Sequence, residues 1–210
     1  MKQTYLPTQD EERRLWGAGY LNVAGIDEVG RGPIAGPVVA GAVIMPDVSG
    51  MTDQDIRLIK DSKALTPLQR INADMVVRRI GIDFGVGTVE ASDIDRLGIV
   101  PATKLAMSRA LDSLVTRVDH LLIDAVSLEW RNRPCASIIH GDRLCVAIAA
   151  ASVIAKVYRD SLMRELDRVY PGYGLSKNKG YPSRSHLSVV ASKGPTPIHR
   201  TTFAPFRITH

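Results

Sequence analysis

Only two cysteines stand in the 210-residue chain, Cys135 and Cys145, without the spacing of a metal-binding or redox pair. Reduced thiols are therefore expected. No apolar run is long enough to cross a bilayer: the longest, Cys145 to Ala155, has 11 residues, where a spanning helix takes about 20. The opening residues, MKQTYLPTQDEERR, lack the apolar core of a secretory signal. A cytoplasmic protein with no membrane partner is the expectation. Internal repeats and low-complexity tracts are missing as well, which excludes solenoid and fibrous classes. The last absence is one of charge sign, since Arg168 to His210 holds seven basic residues and no Asp or Glu. That end carries +7 of a net +5, so residues 1 to 167 carry −2. A basic end set against acids placed elsewhere fits a polyanion-binding surface beside a cation-binding centre. On charge alone a merely soluble basic tail is the lesser alternative.

With 45% hydrophobic residues, the chain is long enough to bury one full core. Residues 1–20 read as a helical lead-in, with Thr8 or Asp10 as N-cap, residues 21–170 as the main domain, and 171–210 as a basic extension. Strands are expected at 22–29 and 36–45, paired like a hairpin, and at 82–90, 120–124 and 136–140. Helices are expected over 53–60, from Thr66 and Pro67 to Arg79, over 99–118 where apolar residues recur at helical spacing, from Arg143 to Val169, and over 184–192. Strands interleaved with helices indicate an α/β domain with a mixed sheet.

The most informative stretch is Asn22 to Met45. An apolar run delivers Asp27 and Glu28 to a turn made of Gly30, Arg31, Gly32 and Pro33. Neighbouring strand residues face opposite ways, so two acids share one site only where the strand ends or bulges, and the turn supplies that irregularity. Glycines flanking Arg31 let backbone N–H and C=O groups approach a ligand closely, and sugar hydroxyls or phosphates suit such a loop. The dinucleotide-binding fingerprint is not met: Gly36 falls one residue late, and Pro37, Val38 and Val39 favour a strand over a helix.

Two further acids end or begin elements. Asp124 closes the apolar run Leu121 to Ile123, where a carboxylate is costly without a cation or several donors. Asp142 stands before a helix, as its N-cap or as another member of the set. If Asp27, Glu28, Asp124 and Asp142 converge, they cannot all stay ionised unaided. Hard divalent cations resolve this, and an all-oxygen set suits Mg²⁺ or Mn²⁺ over zinc. Two such ions about 3.5–4 Å apart serve phosphodiester hydrolysis.

The ordered strings GIDEVGRGPIAGPVVAGAV, DSKAL, LLID, GDRLCVAIAAASVIAKVYRD, YPGYG, KGY and GPTPIHRTTFAPF resemble bacterial ribonuclease HII from about Asn22 to Phe206. The resemblance implies a ribonuclease H-like mixed sheet flanked by helices, with a C-terminal extension that closes over nucleic acid. It implies hydrolysis of the RNA strand of RNA/DNA hybrids and incision 5′ to a single ribonucleotide in duplex DNA, leaving 3′-OH and 5′-phosphate ends. A monomer is the expectation.

By position, Asp27, Glu28, Asp124 and Asp142 are implied as metal-binding carboxylates, and Gly30, Arg31 and Gly32 as the loop that senses the ribose 2′-OH. Tyr181 is implied as the ring that stacks on the sugar beside the scissile step, and Lys63 as a phosphate contact. Ala125 stands where the family usually has Gly, Asn178-Lys179 replaces a usual His before KGY, and Pro182-Ser183 replaces Gly-Thr. His140, His186 and His199 are each open to a structural or a proton-shuttle role. Competing expectations are a non-catalytic hybrid-binding module and a two-metal nuclease of the same fold acting on DNA junctions. The first has no need of four acids, and the second has no need of the glycine loop with Tyr181.

Overall fold

The structure is a computed structural model that describes residues 6–50 and 57–206. Its centre is a five-stranded mixed sheet in the order β3-β2-β1-β4-β5. The strands are β1 (Val23–Val29), β2 (Val38–Ile44), β3 (Asp83–Val89), β4 (His120–Asp124) and β5 (Cys135–Ile138). Strands β1, β2 and β3 run antiparallel, whereas β4 and β5 lie parallel to β1. Every residue of β2 is buried, as its near-continuous apolar sequence requires of a strand covered on both faces.

The helices are α1 (Asp10–Gly17), α2 (Pro67–Ile80), α3 (Ala91–Leu97), α4 (Ile99–Asp112), α5 (Gly141–Leu144), α6 (Val146–Val169), α7 (Leu175–Asn178) and α8 (Arg184–Lys193). Strand alternation divides the core: Ala24, Ile26, Ala40 and Ala42 pack with Ala102, Ala106 and Ala110 of α4. Val43 packs on the opposite side with Val76 and Val77 of α2 and Ala147, Ala150 and Ala151 of α6. Helix α2 starts as its sequence demands, with a reciprocal capping box between Thr66 and Gln69 and Pro67 at its first turn. Among the described residues no helix is long and apolar enough to cross a membrane.

Three expectations change. The helix expected to reach Val118 stops at Asp112, because the Asp83 carboxylate accepts from the Val115 and Thr116 N–H groups at 2.8 and 2.7 Å. The helix expected from Arg143 to Val169 is broken at Cys145, which is extended at φ −116° and ψ 129°. There Thr8 bridges the chain, its N–H donating to Leu144 O and its C=O accepting from Val146 N. Neither Thr8 nor Asp10 caps α1: Gln9 holds that position, its side chain bonded instead to Pro46 O and Val48 N. The helix expected over 53–60 lies outside the described residues up to 56, and 57–60 is turn and bend.

Helix α6 sits unusually close to the sheet. A Cβ placed on Gly25 would lie 2.1 Å from the Ala147 carbonyl carbon, and one on Gly41 would lie 2.5 Å from Ala151 O. Both neighbours are backbone and cannot rotate away. Gly41→Ala is therefore expected to cost about 3 kcal/mol or more, the upper range of overpacking, read as a lowered urea midpoint at unchanged slope.

Candidate active site

Strands β1 and β4 are parallel neighbours, and Ile26 lies opposite Ile123 at their last paired position. Asp27 and Asp124 are the next residues of each, so the two carboxylates stand side by side where that pairing ends; β4 stops at Asp124, whereas β1 continues to Val29 against β2. Asp27 is 3% exposed, and its Oδ1 accepts from Glu28 N at 2.7 Å. Burial first, then the charges of Glu28, Asp124 and Asp142, holds its carboxyl well above the ordinary range. Glu28 is raised too, by burial, although Arg31 bonds to it at 3.1 Å and opposes the shift. Asp124 Oδ1 accepts from Gly141 N at 2.8 Å. The residue after it, Ala125, takes φ +50°, a left-handed conformation that favours glycine.

Asp142 is not an N-cap. That position of α5 belongs to His140 at φ 60°, which makes no side-chain cap. Asp142 sits in the first turn, 4% exposed, with its Oδ2 3.5 Å from Lys63 Nζ. Burial and then Asp61 raise its carboxyl, while Lys63 opposes. Burial works against the Lys63 ammonium, but Asp27, Asp142 and Asp61 outweigh it and raise its pKa. The four acids and Lys63 thus share one electrostatic neighbourhood.

Among the described residues no three carboxylate, thiol or imidazole groups are gathered closely enough to grip one ion. Each acid leans on its own donor: Asp27 on a backbone N–H, Asp124 on Gly141 N, Glu28 on Arg31 and Asp142 on Lys63. The set nevertheless fits a hard cation. Its donors are all oxygens, and Glu28 Oε2 is buried with no hydrogen-bond partner, an acceptor that costs free energy until something positive meets it.

The glycine loop is fixed from beneath by two arginines, both 0% exposed. Arg200 donates to the carbonyls of Gly30 (2.7 Å), Arg31 (3.0 Å) and Gly36 (2.7 and 3.1 Å). Arg159 donates to Pro37 O, Ala35 O and Lys179 O. Burial, with Arg159 nearby, pushes Arg200 down to about 9, which leaves it charged at neutral pH.

The loop is also sewn to the C-terminal segment, with Ile34 N donating to Gly180 O, Gly36 N to Ile198 O, and Arg200 N to Ile34 O. Tyr181 stands at this seam, 47% exposed. A Cβ on Gly32 would be 3.7 Å from its ring carbon Cε1. The structure therefore brings together Asp27, Glu28, Asp124, Asp142 and Lys63, and separately Gly30, Arg31, Gly32 and Tyr181.

Sequence reasoning missed both arginines as loop supports. Arg159 left a signal: Ala147, Ala151, Ala155, Arg159 and Met163 recur every fourth residue along the buried line of α6. A guanidinium on such a line must find buried acceptors. Arg200 left none that pointed to loop support, having entered as a charge in the basic end and as one position of the string GPTPIHRTTFAPF.

The sequence model of the family described as Ribonuclease HII matches residues 24–206. The chain is 47% identical to a ribonuclease HII of Dehalococcoides mccartyi, over 99% of this chain and 97% of that protein. It is 46% identical to one of Geobacter sulfurreducens, over 94% and 89%. Among solved structures it is similar to ribonuclease H2 of Pyrococcus horikoshii, with a TM-score of 0.73 and 27% identity over 88% of this chain and 95% of that one. It is also similar in fold to Bst-RNase HIII in complex with Mn²⁺, with a TM-score of 0.70 and 20% identity over 89% and 68%.

A carboxyl held above its unfolded value weakens the fold once pH exceeds that value, and the penalty is relieved as pH falls through the raised one. In chelator at neutral pH, Asp27→Asn is expected to raise the melting temperature by about 2–4 °C per kcal/mol of repulsion removed, with added divalent cation narrowing the gap. Arg200→Met is expected to lower stability by about 3 kcal/mol or more, since each buried carbonyl left without a donor costs about 1–3 kcal/mol. Urea titration reads this.

Proposed function

The chain belongs to the ribonuclease HII family and is an endoribonuclease that acts on RNA/DNA hybrids; from that premise we propose that it also incises duplex DNA 5′ to a single embedded ribonucleotide, leaving 3′-OH and 5′-phosphate ends. The observation that carries this reading is the adjacency of two devices, a set of four acids, of which Asp27 and Asp142 are buried, and a clamped glycine loop. Asp27, Glu28, Asp124 and Asp142 are the residues that would hold divalent cations, Mg²⁺ or Mn²⁺, with Glu28 Oε2 available as an acceptor. When bound, such ions supply positive charge that favours attack by water and departure of the leaving oxygen. Lys63, tethered at the same acids, is placed to meet a substrate phosphate.

The loop supports the choice of substrate. Its Gly30 and Arg31 carbonyls are occupied by Arg200, and among the described residues the N–H groups of Arg31 and Gly32 donate to no protein acceptor. A 2′-OH is the group that distinguishes an RNA from a DNA nucleotide at one site, and it can accept from such donors. Tyr181, half exposed beside Gly32, offers an aromatic face to the neighbouring sugar. Residues 21–170 then supply the chemistry, and 171–210, with no acidic residue, attract the phosphate backbone. The protein acts as a single chain on these substrates.

The test is incubation of duplex DNA bearing one ribonucleotide with Mg²⁺, Mn²⁺ or chelator, with the products sized. One cut 5′ to the ribonucleotide, lost in chelator, is expected. Asp124→Asn keeps the shape and removes a charge, so it should bind the duplex normally and cut about 10²-fold more slowly or worse. Wild-type cutting by that variant would refute the assignment of Asp124.

A further inference from the structure

Two histidines lie beneath Tyr181, both buried: His186 at 0% and His199 at 2% exposure. Their Nε2 atoms are 3.1 Å apart. His199 Nδ1 is 2.9 Å from Thr196 N and 2.9 Å from Thr196 Oγ1, and His186 Nδ1 is 2.8 Å from Tyr181 O. These contacts fix the protons. A backbone N–H only donates, so His199 Nδ1 accepts, and the one hydrogen of a neutral imidazole is then on Nε2. That hydrogen points at His186 Nε2, which must accept. His186 therefore carries its hydrogen on Nδ1 and donates to Tyr181 O, which can only accept.

We propose that His186 and His199 form a neutral, one-way hydrogen-bond relay that fixes the main chain of Tyr181, and that this relay sets how sharply the enzyme separates an RNA–DNA junction from continuous hybrid. The functional half rests on the reading of Tyr181 given above.

Each ring nitrogen of the pair has a partner, so an added proton would set two N–H groups face to face. Burial, and then the neighbouring His186, lowers the pKa of His199, in keeping with a neutral ring. The remaining faces of His199 are covered by the rings of Tyr173, at 5.3 Å, and Phe206, at 5.6 Å.

The Tyr181 backbone is held on every side. Its N–H donates to Asn178 O, its carbonyl also accepts from Ser183 N, and the preceding Gly180 carbonyl takes Ile34 N. His199 adjoins Arg200, whose side chain grips the Gly30 and Arg31 carbonyls. One short segment, 196–200, thus ties the sugar-sensing loop and Tyr181 into a single unit. His186 and His199 touch no substrate in this scheme and are positioning residues.

The test has two arms. In wild-type protein at neutral pH, ¹⁵N spectra of the imidazoles should show His186 protonated on Nδ1 and His199 on Nε2; the opposite tautomers, or a protonated ring, overturn the relay. In the second arm, cleavage of a junction substrate and of a continuous hybrid is compared for His186→Leu, His186→Asn and Tyr181→Ala. His186→Leu should lower the junction-to-hybrid ratio roughly three- to tenfold, the scale of one lost neutral hydrogen bond. His186→Asn, whose amide nitrogen replaces Nδ1 as donor, should stay within about twofold of wild type.

A folded His186→Leu protein with an unchanged ratio overturns the proposal, because packing alone would slow both substrates together. If that variant does not fold, His186→Asn decides: a wild-type ratio supports the relay, and a ratio as low as that of Tyr181→Ala overturns it. An unchanged ratio in Tyr181→Ala would instead defeat the reading of Tyr181 and the functional half with it, leaving the tautomers to judge the relay separately.

Discussion

The structure depends on how closely one alanine-rich helix lies against two glycine-bearing strands. Gly25 and Gly41 leave no room for a methyl group above the backbone of Ala147 and Ala151, so α6 is set against the sheet within a few tenths of an ångström. Several supports of the site hang from that helix. Its N-terminus receives Glu12 from α1, whose Oε1 accepts from Ala147 N at 2.8 Å. Farther along, two consecutive residues hold the two loops that flank the acids. Arg159 grips the carbonyls at 35–37. Asp160 pairs with Arg70, which holds the Ser62 and Leu65 carbonyls on either side of Lys63.

That rigidity is spent on an electrostatic arrangement that opposes folding. Burial pushes Asp27, Glu28 and Asp142 toward the protonated form, and Asp124 adds to the shift of each. The packing of α6 and β1 keeps them near one another despite this. These residues therefore oppose stability, a cost concentrated at sites that bind charge. The arginine clamp is the reverse case, since its buried charge is offset by several carbonyl acceptors and the gain is a backbone shape that a flexible loop would not keep.

Much of this was legible in the sequence where the cause is local. Alternation and continuous apolar runs located β1 to β4, and the Thr66–Pro67 pair located the start of α2. The strand-terminal position of Asp124 marked it as costly without a partner. What was not legible is set by distant partners: the break at Cys145 is imposed by Thr8, and the end of α4 by Asp83. Asp142 was ambiguous because the residue that occupies the cap, His140, does so in a left-handed conformation that no helix-start rule anticipates. His186 and His199, read one at a time, were each open to a structural or a proton-shuttle role; only the fold places them 3.1 Å apart.

The position of Arg200 near the end of the chain carries a consequence for synthesis. The acids and their sheet are complete once Val169 has been made, yet the Gly30 and Gly36 carbonyls gain their guanidinium partner only about thirty residues later in the sequence. A nascent chain paused between those points holds the four acids beside a glycine loop that its buried arginine does not yet clamp. The order of residues along the polypeptide therefore leaves the arginine-clamped loop to be assembled last.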